Sequence, residues 1–393
     1  MPDAVIVSAC RTAIGTAGKG TLRNTTPFEL ADTVVAESLK RTGLDPNLFD
    51  DVILGESMYG GGDVARHAAI TAGMTTVPGL ALNRHCASGL AAVSEAAANI
   101  RAGMADAIIA GGSHSSSTAP RSRWRDVATG EWAENWVSPS HPDSLEAPNL
   151  DMSITVGWNA ATTVGVSREE MDAWALHSHE KAVRAIDEGR FLDEIVPVSA
   201  RGDNGLPVTF EVDEHPRRTT SMAKLAALPV LHPEIPGFSI TAGNSSGVND
   251  AAAALVITAA PFAERHGLIP LAVVRSWAVV GIDPAQTGLA PTKAIPKALQ
   301  RAGLDQADVD LFEINEAFAA MCVATVRRLG IDPAVVNVSG SGCSLGHPIA
   351  ASGARMVTTL VHELRRRGGG IGVASMCAGG GMGSAVVLEV PAS

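Results

Sequence analysis

Leu39-Lys40-Arg41-Thr42-Gly43-Leu44-Asp45 returns later in the chain as Leu299-Gln300-Arg301-Ala302-Gly303-Leu304-Asp305. In both copies a basic last turn runs into a glycine, the pattern of a helix end. Working outward, Thr26-Pro27-Phe28-Glu29 reads as a helix start, with a capping residue, proline in the first turn and an acidic third position. Beyond the glycine, Asp50 to Met58 lines up with Asp310 to Phe318, and Asp51-Val52-Ile53-Leu54 reads as a buried strand. Helix, turn and strand therefore recur in one order, at a separation far longer than any solenoid period. Fainter echoes pair Ala87-Ser88-Gly89 with Ala351-Ser352-Gly353, and Ile108-Ile109-Ala110-Gly111-Gly112 with Ala378-Gly379-Gly380-Gly381. The fold expected is α/β, built from two duplicated α/β halves at residues 1–268 and 269–393.

The first half carries an insertion, a loop domain expected at about 119–243. Trp124, Trp132, Trp136, Trp158 and Trp174 fall within it, with proline-rich loops such as Pro139-Ser140-His141-Pro142. Ser167 and Glu170 form a capping-box pattern ahead of a charged helix. Arg121-Ser122-Arg123-Trp124-Arg125 reads either as a solvated basic loop or as a hold for a phosphate or a partner. A glycine loop is expected around Gly60, Gly61 and Gly62.

The chain has 393 residues, 46% of them hydrophobic, and a formal net charge of -11. Such a composition suits a soluble globular protein with a large core. The acidic balance argues against sequence-independent binding to nucleic acid or to anionic lipid. No run is long enough to span a bilayer, and Met1 to Ala9 does not read as a secretory leader, so a cytoplasmic location and no membrane partner are expected. Cys10, Cys86, Cys322, Cys343 and Cys377 are scattered and odd in number, which predicts reduced thiols. No metal site is expected, since His177 and His179 fall on different sides of a probable helix. Cys10 and Cys343 read as packing residues.

Asn83-Arg84-His85-Cys86-Ala87-Ser88-Gly89-Leu90 runs into an alanine-rich helix reaching Ile100. Cys86 thus falls at a helix N-terminal end, where unpaired N–H groups and the macrodipole favour a thiolate, and it is a candidate nucleophile. A small buried hydrophobe at that junction is the alternative. Further on come Asn315-Glu316-Ala317-Phe318-Ala319, Gly346-His347-Pro348, Cys377-Ala378-Gly379-Gly380-Gly381-Met382-Gly383 and Ala242-Gly243-Asn244-Ser245-Ser246-Gly247. Asn83 to Leu90, the Asn-Glu-Ala-Phe-Ala box, the Gly-His-Pro box followed by Ala351-Ser352-Gly353-Ala354-Arg355, and Cys-Ala-Gly-Gly-Gly-Met-Gly, four boxes in this order, resemble the thiolase family. The similarity runs from the first strand to the last few residues.

The resemblance implies a layered αβαβα thiolase fold and a ping-pong reaction. A 3-ketoacyl-CoA is cleaved by free CoA to acetyl-CoA and a shortened acyl-CoA, or the reverse Claisen condensation runs, through an acyl thioester on cysteine. By motif match Cys86 is that nucleophile, His347 takes its proton, and Cys377 exchanges a proton with the acetyl-CoA α-carbon or the CoA thiol. One oxyanion hole is implied from His347 and a water held by Asn315, the other from the N–H groups of Cys86 and Gly379. Ser246, Arg217 and Ser221 match positions that contact CoA. CoA is then a co-substrate and no tightly bound cofactor is expected. The partners implied are acyl-CoA and CoA, with a homodimer or homotetramer as the assembly. NAD is not expected, since Gly340 to Gly346 is one residue too long for GxGxxG.

The chain departs from the family at three places: Ser113-His114-Ser115-Ser116 stands for a Glu-Met-Ser segment, Asp151-Met152 for a His-Met pair, and Thr287 for a methionine at the acyl pocket. These substitutions favour a degradative enzyme taking a longer or bulkier acyl group; an acetoacetyl-CoA-specific biosynthetic thiolase is the alternative. Gly243 to Gly247 also satisfies GxSxG, between a strand-like Phe238-Ser239-Ile240-Thr241 and a helix-like Asp250 to Ile257, which keeps a serine hydrolase in view. A ketoacyl synthase would lack the second cysteine, and a non-catalytic CoA-ester binding protein would tolerate losing Cys86, His347 or Cys377.

Overall fold

The computed structural model describes residues 1–57, 63–202 and 205–392. The expected glycine loop at Gly60, Gly61 and Gly62, and the Met58 end of the aligned segment, lie outside the described residues. The first half contributes β1 (Ala4–Thr12), β2 (Asp51–Gly55), β3 (Gly79–Leu82), β4 (Ala107–Ser115) and β5 (Asn249–Ala259). The second contributes β6 (Ala272–Gly281), β7 (Leu311–Ile314), β8 (Gly370–Ala378) and β9 (Met382–Val390). The main helices are α1 (Pro27–Thr42), α2 (Ser88–Arg101), α3 (Arg168–Asp187), α4 (Pro291–Ala302), α5 (Ala319–Leu329) and α6 (Ser352–Arg366). Among the described residues no helix is long and apolar enough to cross a membrane.

Strand order exposes the duplication. The main path runs β7-β8-β9-β6-β1-β5-β4-β2-β3. In each half the first strand pairs antiparallel with the last, β1 with β5 and β6 with β9. The last pairs antiparallel with β4 or β8, which lies parallel to β2 or β7. Where β3 completes the first half, the second keeps only a bridge from Phe312 to Val336. The halves join through β1 and β6 at Val5–Val273 and Ile6–Ala272.

The repeated stretch ends α1 and α4 identically: Gly43 and Gly303 both take the left-handed conformation, at φ 63° and 70°. The aligned aspartates do one job. Asp50 Oδ2 accepts the N–H of Asp106 at 2.6 Å, and Asp310 Oδ2 accepts that of Ile371 at 2.7 Å, each tying its loop to the start of the neighbouring strand. The faintest echo is corrected. Register pairs Leu54 with Gly111 and Ile314 with Ser375, so Gly111 corresponds to Ser375, while Gly379 to Gly381 form the turn after β8.

α2 and α6 lie side by side between the two half-sheets, each touching strands of both halves, while α1 and α4 cover the outer faces. The layering is therefore αβαβα. Glycine permits the close approach of α2 to α6. A Cβ on Gly89 would stand 2.8 Å from the Ala350 carbonyl and the Ala354 nitrogen, and one on Gly353 would collide with Leu90. Ala87-Ser88-Gly89 and Ala351-Ser352-Gly353 are thus the facing first turns of two related helices.

Two further expectations are corrected. Asp250 to Ile257 is not helical but belongs to β5, buried along its whole length between β1 and β4. The two neighbouring strands pair with it along this stretch, so tertiary pairing overrides the helix propensity of its alanines. A Cβ on Gly111 of β4 would stand 2.0 Å from the Ala253 carbonyl, so that strand can approach only as glycine. Phe238 to Thr241 forms no strand beyond an isolated bridge between Thr241 and Val230. The strand–turn–helix setting a GxSxG nucleophile needs is therefore not formed around Ser245. Gly353→Ala is expected to lower stability by roughly 1–3 kcal/mol through overpacking of α6 on α2. Thermal unfolding checks this, and an unchanged midpoint would mean that the two helices are not in such close contact.

Candidate active site at the meeting of two helix ends

Cys86 sits in a turn that local bonds hold firmly. His85 N–H donates to Asn83 Oδ1 at 2.8 Å, Arg84 N–H donates to Ser88 Oγ at 2.9 Å, and Ser88 Oγ donates to the His85 carbonyl at 2.7 Å. His85 is thereby kept at φ 48°, a left-handed conformation unusual for a residue with a side chain. The expectation of a stabilised thiolate is not met. α2 begins only at Ser88, and burial pushes the Cys86 thiol up to about 11, against the N–H groups of Gly379 and of Cys86 itself, which pull it down. Desolvation outweighs the helix end, so Cys86 rests as a thiol and would need a base to act as a nucleophile.

Those two N–H groups both face the Cys86 sulfur, the pair expected for one oxyanion hole. Gly379 belongs to the turn between β8 and β9, with Gly380 at φ 83° and Gly381 at φ 73°. Cys377 ends the same strand one residue earlier than Ala378. It is buried, its sulfur 3.5 Å from Met321 Sδ, and burial followed by the proximity of Cys86 holds its thiol well above the ordinary value. The two sulfurs thus share one electrostatic environment.

His347 precedes α6 and reaches its first residue, Nδ1 lying 2.6 Å from Ser352 Oγ. Ser352 Oγ donates to the Pro348 carbonyl at 3.0 Å, which leaves its lone pair to accept an Nδ1–H. That assigns the ring its Nδ1–H tautomer and an open lone pair on Nε2, which is buried with no partner among the described residues. Burial, then His114 and Arg355, lower the His347 pKa to about 3, so the imidazole is uncharged near neutrality. Asn315 Nδ2 stands 3.5 Å from His347 Nδ1, a contact between two donors rather than a hydrogen bond in this tautomer, and Asn315 Oδ1 is buried without a partner among the described residues. Both carry unused polar capacity of the kind a substrate oxygen or a water would take.

The loop 242–247 lies against these groups. Ser246 N–H donates to the Ala317 carbonyl at 2.9 Å, Ser245 bridges Phe318, and Val248 bridges His347. Ser246 is partly exposed. Arg217 is exposed on a cleft shared with Arg184 and Arg218, and its neighbour His215 packs over Gly247. Ser221 caps the short helix Met222–Ala226 by accepting the Lys224 N–H at 3.3 Å, and that helix rests Leu225 on Gly243. The three expected CoA contacts therefore border one strip, with the Ser221 hydroxyl already engaged.

Several supporting residues escaped the sequence reading. Asn249 Oδ1 accepts the His347 N–H at 3.0 Å, an interaction only the fold reveals because β5 meets the Gly-His-Pro loop across the molecule. Glu316 is buried and accepts from Trp174 Nε1, Ser178 Oγ, Asn337 Nδ2 and the Cys343 N–H, anchoring the loop that carries Asn315. Its place in the Asn-Glu-Ala-Phe box was the available signal. Beneath α6, Arg355 pairs with Glu313 at 2.6 Å, both buried, and burial still pushes the Glu313 carboxyl up to about 7. Of the departing residues, His114 is buried with Nε2 2.9 Å from Ser116 Oγ, and Asp151 is taken by His232 at 2.7 Å. Thr287 touches the glycine turn itself, accepting the Gly381 N–H at 3.0 Å.

Comparison with known proteins gives the class. Residues 4–261 match the thiolase N-terminal domain and residues 268–390 the thiolase C-terminal domain. The chain belongs to the thiolase family and is an acyltransferase. It is 42% identical to an acetyl-CoA acetyltransferase of Syntrophomonas wolfei, covering 98% of this chain and 99% of that one. It is 40% identical to a 3-ketoacyl-CoA thiolase of Bacillus subtilis, covering 99% and 100%. The structure of human mitochondrial 3-ketoacyl-CoA thiolase superposes with a TM-score of 0.91 at 36% identity, covering 99% of each chain.

With the Cys86 pKa raised rather than lowered, alkylation of the resting enzyme at Cys86 should accelerate roughly tenfold per pH unit from about pH 7 to pH 10. Cys86 is the one partly exposed thiol of the five, so peptide mapping isolates it. A rate plateau already below about pH 8 would show that the helix end does stabilise the thiolate.

Proposed function

We propose that this thiolase cleaves 3-ketoacyl-CoA through an acyl-Cys86 intermediate. The observation that carries the reading is the Cys86 sulfur facing the Gly379 N–H with a second buried thiol, Cys377, close enough to feel its charge. His347 Nε2 takes the Cys86 proton and the thiolate adds to the 3-keto carbon. The oxyanion forms against the N–H groups of Cys86 and Gly379. As the C2–C3 bond breaks, charge passes to the acetyl-CoA enolate, beside His347 and Asn315. Cys377 gives that carbon its proton. Its thiolate then takes the proton of an incoming CoA thiol, which attacks the acyl-Cys86 thioester. Cys86 leaves as thiolate and recovers its proton from His347. Ser246, with Arg217 and Ser221 at the rim, borders the path of the pantetheine arm and nucleotide.

The degradative direction and a longer or bulkier acyl group belong to the same proposal. A buried threonine at 287 gives less side-chain volume than the family's methionine beside the glycine turn, and the Asp151 carboxylate is drawn off by His232. The division into residues 1–268 and 269–393 with a loop domain at about 119–243 is supported by the placement of the inserted chain between β4 and β5. A homodimer or homotetramer is supported by β3, an outer strand of the main path that leaves Leu80 exposed. Five free thiols support a reducing compartment such as the cytoplasm.

Incubation with a 3-ketoacyl-CoA should leave an acyl mass on the peptide holding Cys86, and Cys86→Ser should abolish both adduct and turnover. An adduct on another residue would remove the assignment. For specificity, kcat/KM for a long or ring-bearing 3-ketoacyl-CoA should exceed that for acetoacetyl-CoA by about tenfold or more. The opposite preference would favour the acetoacetyl-CoA-specific biosynthetic alternative.

A further inference from the structure

Gly379 can act as an oxyanion donor only if the turn that carries it is held still, and glycine by itself supplies no such hold. Three consecutive glycines, two of them at positive φ, form this turn. Its rigidity must come from what packs on it. On one side Ser140 comes within 2.8 Å of where a Gly380 Cβ would stand. On the other, the segment Ile282 to Leu289 clamps the Gly381 residue from both ends. Gly381 C=O accepts the Ile282 N–H at 2.7 Å, and Gly381 N–H donates to Thr287 Oγ1 at 3.0 Å.

Thr287 uses its hydroxyl fully in doing so. The single proton of Oγ1 goes to the Pro284 carbonyl at 2.6 Å, fixing the oxygen so that a lone pair faces Gly381. The residue is buried, so water does not readily replace the bond. The family's methionine could not offer an equivalent acceptor, since a thioether accepts only weakly.

We propose that Thr287 is a positioning residue, whose hydroxyl fixes the Gly379 N–H for the tetrahedral intermediate at Cys86. The inference rests on the acyl-Cys86 reading. It also separates two duties at one position, since the hydroxyl would set rate while side-chain volume would set acyl fit.

Thr287→Val keeps the shape and removes the oxygen; Thr287→Ser keeps the oxygen and removes the methyl. Single-turnover acylation of Cys86, followed by mass over a range of 3-ketoacyl-CoA concentrations, reads both. In Thr287→Val the maximal acylation rate should fall about 10- to 100-fold with the half-saturating concentration within about threefold of the parent's. Thr287→Ser should recover to within about threefold of the parent rate. Val matching the parent, or Ser losing as much as Val, would overturn the proposal. If the parent itself forms no acyl-Cys86, the underlying reading fails instead. Thermal unfolding accompanies each variant, and Thr287→Ala carries the same comparison with Ser should Val not fold.

Discussion

The close contact between the first turns of α2 and α6 is the constraint on which the rest of the molecule depends. Gly89 and Gly353 let two backbones approach where any side chain would collide. That contact joins the two half-sheets around a shared inner layer. It also brings two loops to one point, the turn with Cys86 before α2 and the Gly-His-Pro loop before α6. Duplication thus supplies a site that neither half could form alone, with Cys86, the proposed nucleophile, from the first copy and His347, Asn315, Cys377 and Gly379 from the second.

Burial then sets the chemistry. Enclosing the reactive groups raises both thiols and lowers the imidazole, so the resting site is uncharged: two thiols and one neutral histidine. In the proposed mechanism, proton transfer waits for a substrate carbonyl oxygen to be stabilised. Such a site requires donors in place beforehand, because a buried cavity has little water to rearrange. The surroundings match that demand. Asn249 holds the His347 backbone, Ser352 orients its ring, Glu316 gathers four donors beneath Asn315, and the Arg355–Glu313 pair secures α6 to β7. Apart from Arg355 Nε in that pair, the buried side-chain polar atoms of these residues left without a partner among the described residues are His347 Nε2 and Asn315 Oδ1, and these two face the proposed chemistry.

Much of this was legible in the sequence, and the limits have physical causes. Helix ends at Gly43 and Gly303 could be read locally, because caps and turns are encoded by the residues that form them, whereas the shared task of Asp50 and Asp310 depends on strands more than fifty positions away. The alanine run of β5 misled, since alanine carries a strong helix signal and the opposing pull came from strands far away in the chain. The boxes around Cys86, His347 and Cys377 were readable as motifs, but the protonation state of Cys86 was not. Helix position suggested a thiolate, and only the three-dimensional burial shows that desolvation prevails. Asn249 and Thr287 were invisible as partners for the same reason: each acts on a residue more than ninety positions away.

The central claim is that an acyl group rests covalently on Cys86 between two half-reactions. Isotope exchange tests it most directly: labelled free CoA is mixed with an unlabelled acyl-CoA and the enzyme, with no other substrate present. Exchange of label into the acyl-CoA, abolished in Cys86→Ser, is the expected result, because the acyl group must leave CoA and return from the enzyme. No exchange, from an enzyme that still turns over the complete reaction, would contradict a covalent intermediate at this thiol.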